Sequence, residues 1–188
     1  MSDSIFPRPG ATALIVIDIQ ERLLPAMRTE DQQLVVRQTG TLVELATAFG
    51  WPIVHSEQYP KGLGHTVQPL REALERAGSR RLEKVEFSCA RNAVFNQTIL
   101  PQLPSHIVVA GMETHICVLQ TVADLQARGH QVFVAQDAVA SRTEANRANG
   151  LELMRQCGAV ITNTETLVFQ ALQVAGTDQF KHFSKLIR

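Results

Sequence analysis

The chain has 188 residues, 45% of them hydrophobic and 19% charged, with 18 basic residues against 18 acidic ones. That length and apolar content suffice for one domain, spanning residues 1–188, whose core needs no metal or disulfide staple. Balanced charge, with no run of Lys or Arg and no aromatic stripe, argues against a nucleic-acid or membrane partner and leaves a small molecule as the expected ligand.

The opening segment, Met1-Ser-Asp-Ser-Ile-Phe-Pro7, has neither a basic nor an apolar region. No apolar run reaches bilayer-spanning length, so a cytoplasmic location is expected. Residues 12–18 form a continuous apolar run rich in β-branched side chains and closed by Asp18, which predicts a strand buried on both faces of a parallel sheet. Residues 31–49 carry helical apolar spacing and stop at Gly50. Strand two is predicted at 52–56, a Gly/Pro-rich loop at 59–64, a helix near 67–77 and a short third strand at 83–87. A helix at 92–100 is stopped by Pro101, and strand four covers 107–110. The next helix carries Cys117 and ends at Gly129. Strand five (131–136), a helix (144–157), strand six (159–162) and two short helices (165–173 and 178–186) follow. This alternation predicts an α/β fold: three layers, α/β/α and Rossmann-like, around a six-stranded, mainly parallel sheet.

Ligands of such sheets bind beyond the carboxyl ends of the strands. Asp18 ends strand one, Glu57 follows strand two, Lys84 lies in strand three, Cys117 comes just after strand four and Asp137 ends strand five; among them an acid, an amine and a thiol make a plausible cysteine-hydrolase set. Asp18 reads either as a general base or as a structural acid pairing with an arginine. Lys84 reads as a solvated lysine or as a buried ammonium that orients Asp18. Cys117 sits where a helix starts, a position that favours thiolate, although most free cysteines are small buried hydrophobes. Cys89 and Cys157 suit that structural role. Three widely spaced cysteines argue for reduced thiols, and none is placed in sequence to resolve an oxidised Cys117.

Three blocks, Ala13-Leu-Ile-Val-Ile-Asp18-Ile-Gln20, Lys84-Val-Glu-Phe87-Ser88 and Gly111-Met-Glu-Thr-His-Ile-Cys117-Val, occur in an order and spacing that resemble the isochorismatase-like cysteine hydrolase superfamily. Within it, the chain looks like the isochorismatase domain-containing branch, related to nicotinamidase and N-carbamoylsarcosine amidase. The loop at 56–64 and the tail at 180–187 extend the likeness over nearly the whole chain. The resemblance implies an Asp18, Lys84, Cys117 triad and a cis peptide between Met112 and Glu113. It also implies an oxyanion hole built from the amides of Glu113 and Cys117, unless Thr114 caps the helix with one of them. Gln20, Tyr59, Phe87 and Met112 are expected to line the substrate pocket.

The chain departs from the nicotinamidase pattern after strand two, where His55, Glu57 and His65 lack the metal-binding spacing; no metal and no cofactor are expected. The expected activity is hydrolysis of a C–N bond in a small amide or carbamoyl compound. Ester, thioester or vinyl-ether hydrolysis, or a binding protein that keeps the site unused, are the alternatives. A homo-oligomer, a dimer or larger, is expected, with Leu167, Val168, Phe169, Leu172, Phe180, Phe183, Leu186 and Ile187 available either for that contact or for packing on their own subunit.

Overall fold

The computed structural model describes residues 5–187. Six strands form one all-parallel sheet in the order β3-β2-β1-β4-β5-β6: β1 (Thr12–Ile17), β2 (Ile53–Gln58), β3 (Arg80–Lys84), β4 (His106–Met112), β5 (Gln131–Ala140) and β6 (Val160–Thr162). The helices are α1 (Thr29–Ala48), the single turn α2 (Pro60–Leu63), α3 (Gln68–Arg76), α4 (Leu119–Ala127), α5 (Glu144–Gln156), α6 (Thr164–Leu172) and α7 (Asp178–Leu186). The three-layer α/β/α arrangement expected from the strand–helix alternation is the one observed.

Alternate residues of the central strands feed two separate cores. Leu14, Val16, Val108, Ala110, Met112 and Phe133 pack with α1, α3, α6 and α7 on one face. Ile15, Ile17, Val54, Ile107, Val109 and Val134 pack with α4, α5 and residues 89–99 on the other. A strand buried on both faces reads as an unbroken apolar run, which is why β1 and β4 are legible in the sequence. The apolar residues of the last two helices are used within the subunit: Leu167, Val168, Leu172 and Phe183 are buried in the first core, and Phe180, Leu186 and Ile187 pack against it. Phe169 remains 42% exposed.

Several expectations are corrected. β3 starts and ends three residues earlier than predicted, at Arg80–Lys84, because this is the segment that pairs with Val54–Gln58 of β2. As an edge strand it buries only Leu82 and Lys84, and the chain then turns outward through Val85. The helix expected at 92–100 is broken into a π-helical turn, Phe95–Ile99, and a 3-10 turn, Leu100–Gln102. The helix expected to begin at Cys117 is preceded by a π-helical turn, Thr114–Val118, in which the cysteine itself lies. β5 runs four residues past its predicted end, and its register against β4 shifts between Val109 and Gly111. Such irregularities re-aim side chains and are frequent beside functional sites.

Candidate active site

The carboxyl ends of β1, β3 and β4 bring Asp18, Lys84 and Cys117 together, although 99 residues separate the first from the last. Asp18 follows β1 directly and adopts φ 52°, a left-handed conformation that Asp tolerates better than most residues. Its main-chain N–H donates to Ser56 O at 3.1 Å. Ser56 Oγ donates to Asp18 Oδ1 at 2.7 Å, and Lys84 Nζ donates to Asp18 Oδ2 at 2.7 Å. Both side chains of this ion pair are fully excluded from solvent. A second bond from Lys84 Nζ, 2.7 Å to Gln58 Oε1, holds the ammonium from the strand side, and Gln58 Nε2 is itself anchored on Val85 O at 2.8 Å.

Cys117 is buried, with the Asp18 carboxylate beside its thiol. Burial pushes the thiol up strongly, Asp18 adds to the shift, and Lys84 opposes it without cancelling it. Burial and Asp18 thus favour the thiol of Cys117 over its thiolate, against the pull expected of a helix start. Lys84 shows the opposite balance. Burial favours the neutral amine, but the charge of Asp18, aided by the two nearby thiols, outweighs it and keeps the ammonium charged. Cys89, expected in a structural connecting segment, is drawn to the same place; burial pushes its thiol up to about 11, against the pull of Lys84.

These shifts have a sign in stability. The two thiols ordinarily titrate at 9.0, and both hold their protons to higher pH in the folded chain. Above pH 9 the unfolded chain therefore binds fewer protons than the folded one, and stability falls as pH rises. Lys84, also raised, extends the loss further into alkali. Urea unfolding is expected to show a flat midpoint between pH 7 and 8.5 and a decline from about pH 9, with Cys89→Ser reducing the slope by about one proton.

Gly111 and Gly150 let the pieces approach. A Cβ on Gly111, at φ 126°, would stand 2.0 Å from Ile17 O, so β1 and β4 meet here with no side chain between them. A Cβ on Gly150 would stand 2.9 Å from His115 Cα, which is where α5 packs on the cysteine turn. The Met112–Glu113 peptide is cis. Glu113 Oε2 accepts from both Arg142 N and Arg142 Nε at 3.1 Å, and Ser141 Oγ lies 3.0 Å from His115 Nδ1, so the β5–α5 connection grips the turn twice. Thr114 makes no cap: its hydroxyl is buried without a partner, and it leaves the turn's amides alone.

The residues expected to line the pocket divide. Tyr59 and Phe87 are each 54% exposed. Tyr59 also borders a cleft of about 320 Å³ whose wall includes Lys61, Lys84, Val85, Glu86 and Asn92. Met112 does not face a ligand: it is fully buried in the first core, against the α1 side of the sheet. Gln20 is fully buried as well. Its amide donates to Gln58 O at 3.0 Å and Gly64 O at 2.7 Å and accepts from Gln58 N at 2.8 Å, so it ties β1 to the loop after β2. Asp137 caps α6, accepting from Thr164 N and Oγ1. Ser56, Gln58, Cys89 and Arg142 lie at or beside the site; the first two fall in the loop at 56–64 that shares the likeness, but nothing in the sequence gives any of the four a role there.

His55, Glu57 and His65 do not converge. His55 Nδ1 pairs with Ser79 Oγ at 2.8 Å. Glu57 is occupied by Thr66 N at 2.7 Å, Thr66 Oγ1 at 3.1 Å, His65 Nδ1 at 3.1 Å and Arg81 at 3.5 Å. Among the described residues no group of three His, Cys, Asp or Glu side chains is arranged to hold a metal ion. A cleft of about 630 Å³ between α1, α3 and α7 contains none of these site residues.

The isochorismatase domain family model matches residues 12–166. A secreted isochorismatase effector, Isc1, of Phytophthora sojae is 40% identical over 96% of this chain and 86% of its own length. Among solved structures, the MAR1 ribonuclease from Caenorhabditis elegans superposes with a TM-score of 0.87 at 33% identity, covering 97% of this chain and 92% of that one. The YcaC gene product of Escherichia coli, described as an octameric hydrolase of unknown specificity, shares the fold, with a TM-score of 0.87 at 18% identity, covering 100% of this chain and 97% of that one.

Proposed function

This chain belongs to the isochorismatase family of hydrolases, and from that premise we propose that it is a cysteine hydrolase that cleaves the C–N bond of a small amide or carbamoyl compound. The observation that carries this reading is the buried carboxylate of Asp18, held by Lys84 at 2.7 Å and placed beside the Cys117 thiol. Because the thiol rests protonated, Asp18 takes its proton as sulfur attacks the carbonyl carbon. The amides of Glu113 and Cys117 hold the oxyanion that forms. Asp18, now protonated, gives the proton to the leaving nitrogen, the C–N bond breaks, and a thioester remains on Cys117. Asp18 then removes a proton from water, whose oxygen attacks the thioester and releases the acid and the thiol. Lys84, bonded to Oδ2, keeps the carboxylate oriented between these transfers. No cofactor enters these steps. Tyr59 and Phe87 supply apolar walls at the mouth.

Purified protein screened against small amides and carbamoyl compounds is expected to release ammonia from at least one of them. Cys117→Ala should lower that turnover by about 10³-fold or more while the chain stays folded. Turnover retained by Cys117→Ala would sink thiol catalysis for that substrate and favour ester or vinyl-ether chemistry with Asp18 as the acid. The relative named as a ribonuclease makes a short RNA a necessary member of the panel. The balanced charge of this chain, 18 against 18, supports the small-molecule reading over it.

A further inference from the structure

Asp18 is fixed from two sides, and only one of them, Lys84, belongs to the proposed triad. The other is Ser56, a buried residue of β2 that lies opposite Ile17 in the sheet register. It holds Asp18 twice. Its carbonyl receives the Asp18 N–H at 3.1 Å, and its hydroxyl donates to Oδ1 at 2.7 Å, leaving Oδ2 to Lys84. Every element packed around the carboxylate contributes a group: Lys84 from β3, Cys117 from the turn after β4, and Cys89 from the segment after β3, which also lies beside the Ser56 hydroxyl.

We propose that Ser56 is a positioning residue that fixes the plane in which the Asp18 carboxylate faces the Cys117 thiol. Its hydroxyl on Oδ1 and the Lys84 ammonium on Oδ2 hold the two oxygens in place, so the carboxylate receives the thiol proton from a fixed direction. Without the hydroxyl the carboxylate keeps its cation but loses its aim, which slows reactions of Cys117 and leaves Cys89 unchanged. This inference rests on the reading of Asp18 as the base for Cys117.

The test uses the full chain with iodoacetamide, a neutral alkylating agent, and follows each cysteine by peptide mass across pH 6–10. Ser56→Ala is expected to lower the labelling rate of Cys117 at pH 7 by about tenfold, because the carboxylate then receives the thiol proton from a poorer direction. Cys89 should stay slow, turnover on any amide found by the screen should fall, and Ser56→Thr should restore the wild-type curve. Ser56→Cys, which keeps the volume and weakens the donor, should give an intermediate curve if Ser56→Ala fails to fold. In an Asp18→Asn background the substitution at Ser56 should have no effect on Cys117. An unmoved or faster Cys117 in Ser56→Ala, or a joint change of Cys117 and Cys89 that signals general loosening, overturns the proposal. Cys117 labelling that is indifferent to Asp18→Asn as well overturns the underlying reading of Asp18 as base.

Discussion

Lys84→Met is expected to lower unfolding stability by about 3–5 kcal/mol at pH 7 and to abolish turnover. Methionine fills most of the space of the lysine chain but removes the cation, leaving the Asp18 carboxylate fully buried beside Ser56 and the Cys117 and Cys89 thiols, with no positive charge. Gln58 Oε1 loses its donor in the same step. An uncompensated buried charge is far more costly than a missing pair. The double variant Asp18→Asn/Lys84→Met, which removes both charges, should therefore regain most of the lost stability while staying inactive. Urea unfolding followed by circular dichroism, with ammonia release on the same preparations, measures both quantities. A single variant as stable as the wild type, or a double variant less stable than either single one, contradicts the buried pair.

Gly111→Ala should lower Tm by about 10 °C or more, or leave the chain insoluble. The new Cβ would stand 2.0 Å from Ile17 O and 2.6 Å from Ile17 N, both main-chain atoms of the neighbouring central strand. Neither strand can give way, since each is flanked by paired strands and covered on both faces. The φ of 126° adds strain for any residue with a Cβ. Ile17 immediately precedes Asp18, so even a folded fraction would carry a displaced carboxylate. Thermal unfolding of Gly111→Ala beside Gly40→Ala, a position with nothing within 4 Å, separates the contact from the general effect of removing a glycine. Equal melting of the two variants would refute the close approach.

Much of this was legible in the sequence because parallel central strands write themselves as apolar runs. β1 and β4 could be read directly, and the crevice rule for such sheets then led to Asp18 and to the turn carrying Cys117. β3 was misplaced because an edge strand with one face in solvent, Arg80-Arg81-Leu-Glu-Lys84, has no such run; its pairing with β2 is visible only in three dimensions. The π-helical turn at Thr114–Val118 has helical periodicity and so looked like an ordinary helix start. The sequence position also says nothing of the burial and the Asp18 carboxylate that raise the thiol's pKa, since both come from elements remote in the chain. Gln20 and Met112 were assigned to a pocket from proximity in sequence to Asp18 and Cys117. Alternation along the chain instead turned Met112 into the core, and the backbone bonds of the loop after β2 took up Gln20. The loop holding Ser56 and Gln58 could be read as part of the likeness, but their roles could not, because a buried hydroxyl or amide acquires its meaning only from the partner that the fold brings to it.

The sheet order also bears on how the chain is made. β1 finds one neighbour, β2, within the first sixty residues, but its other neighbour, β4, begins only at His106. A nascent chain that has emerged only through β3 therefore presents the free hydrogen-bonding edge of a strand that is apolar on both faces, a template for pairing with another chain. Fragments ending between β3 and β4 should aggregate when expressed alone, whereas the complete chain buries that edge at the sheet's centre. The arrival of β4 closes the gap and delivers the cysteine turn in one event, so Cys117 comes beside Asp18 only as the chain buries that adhesive edge.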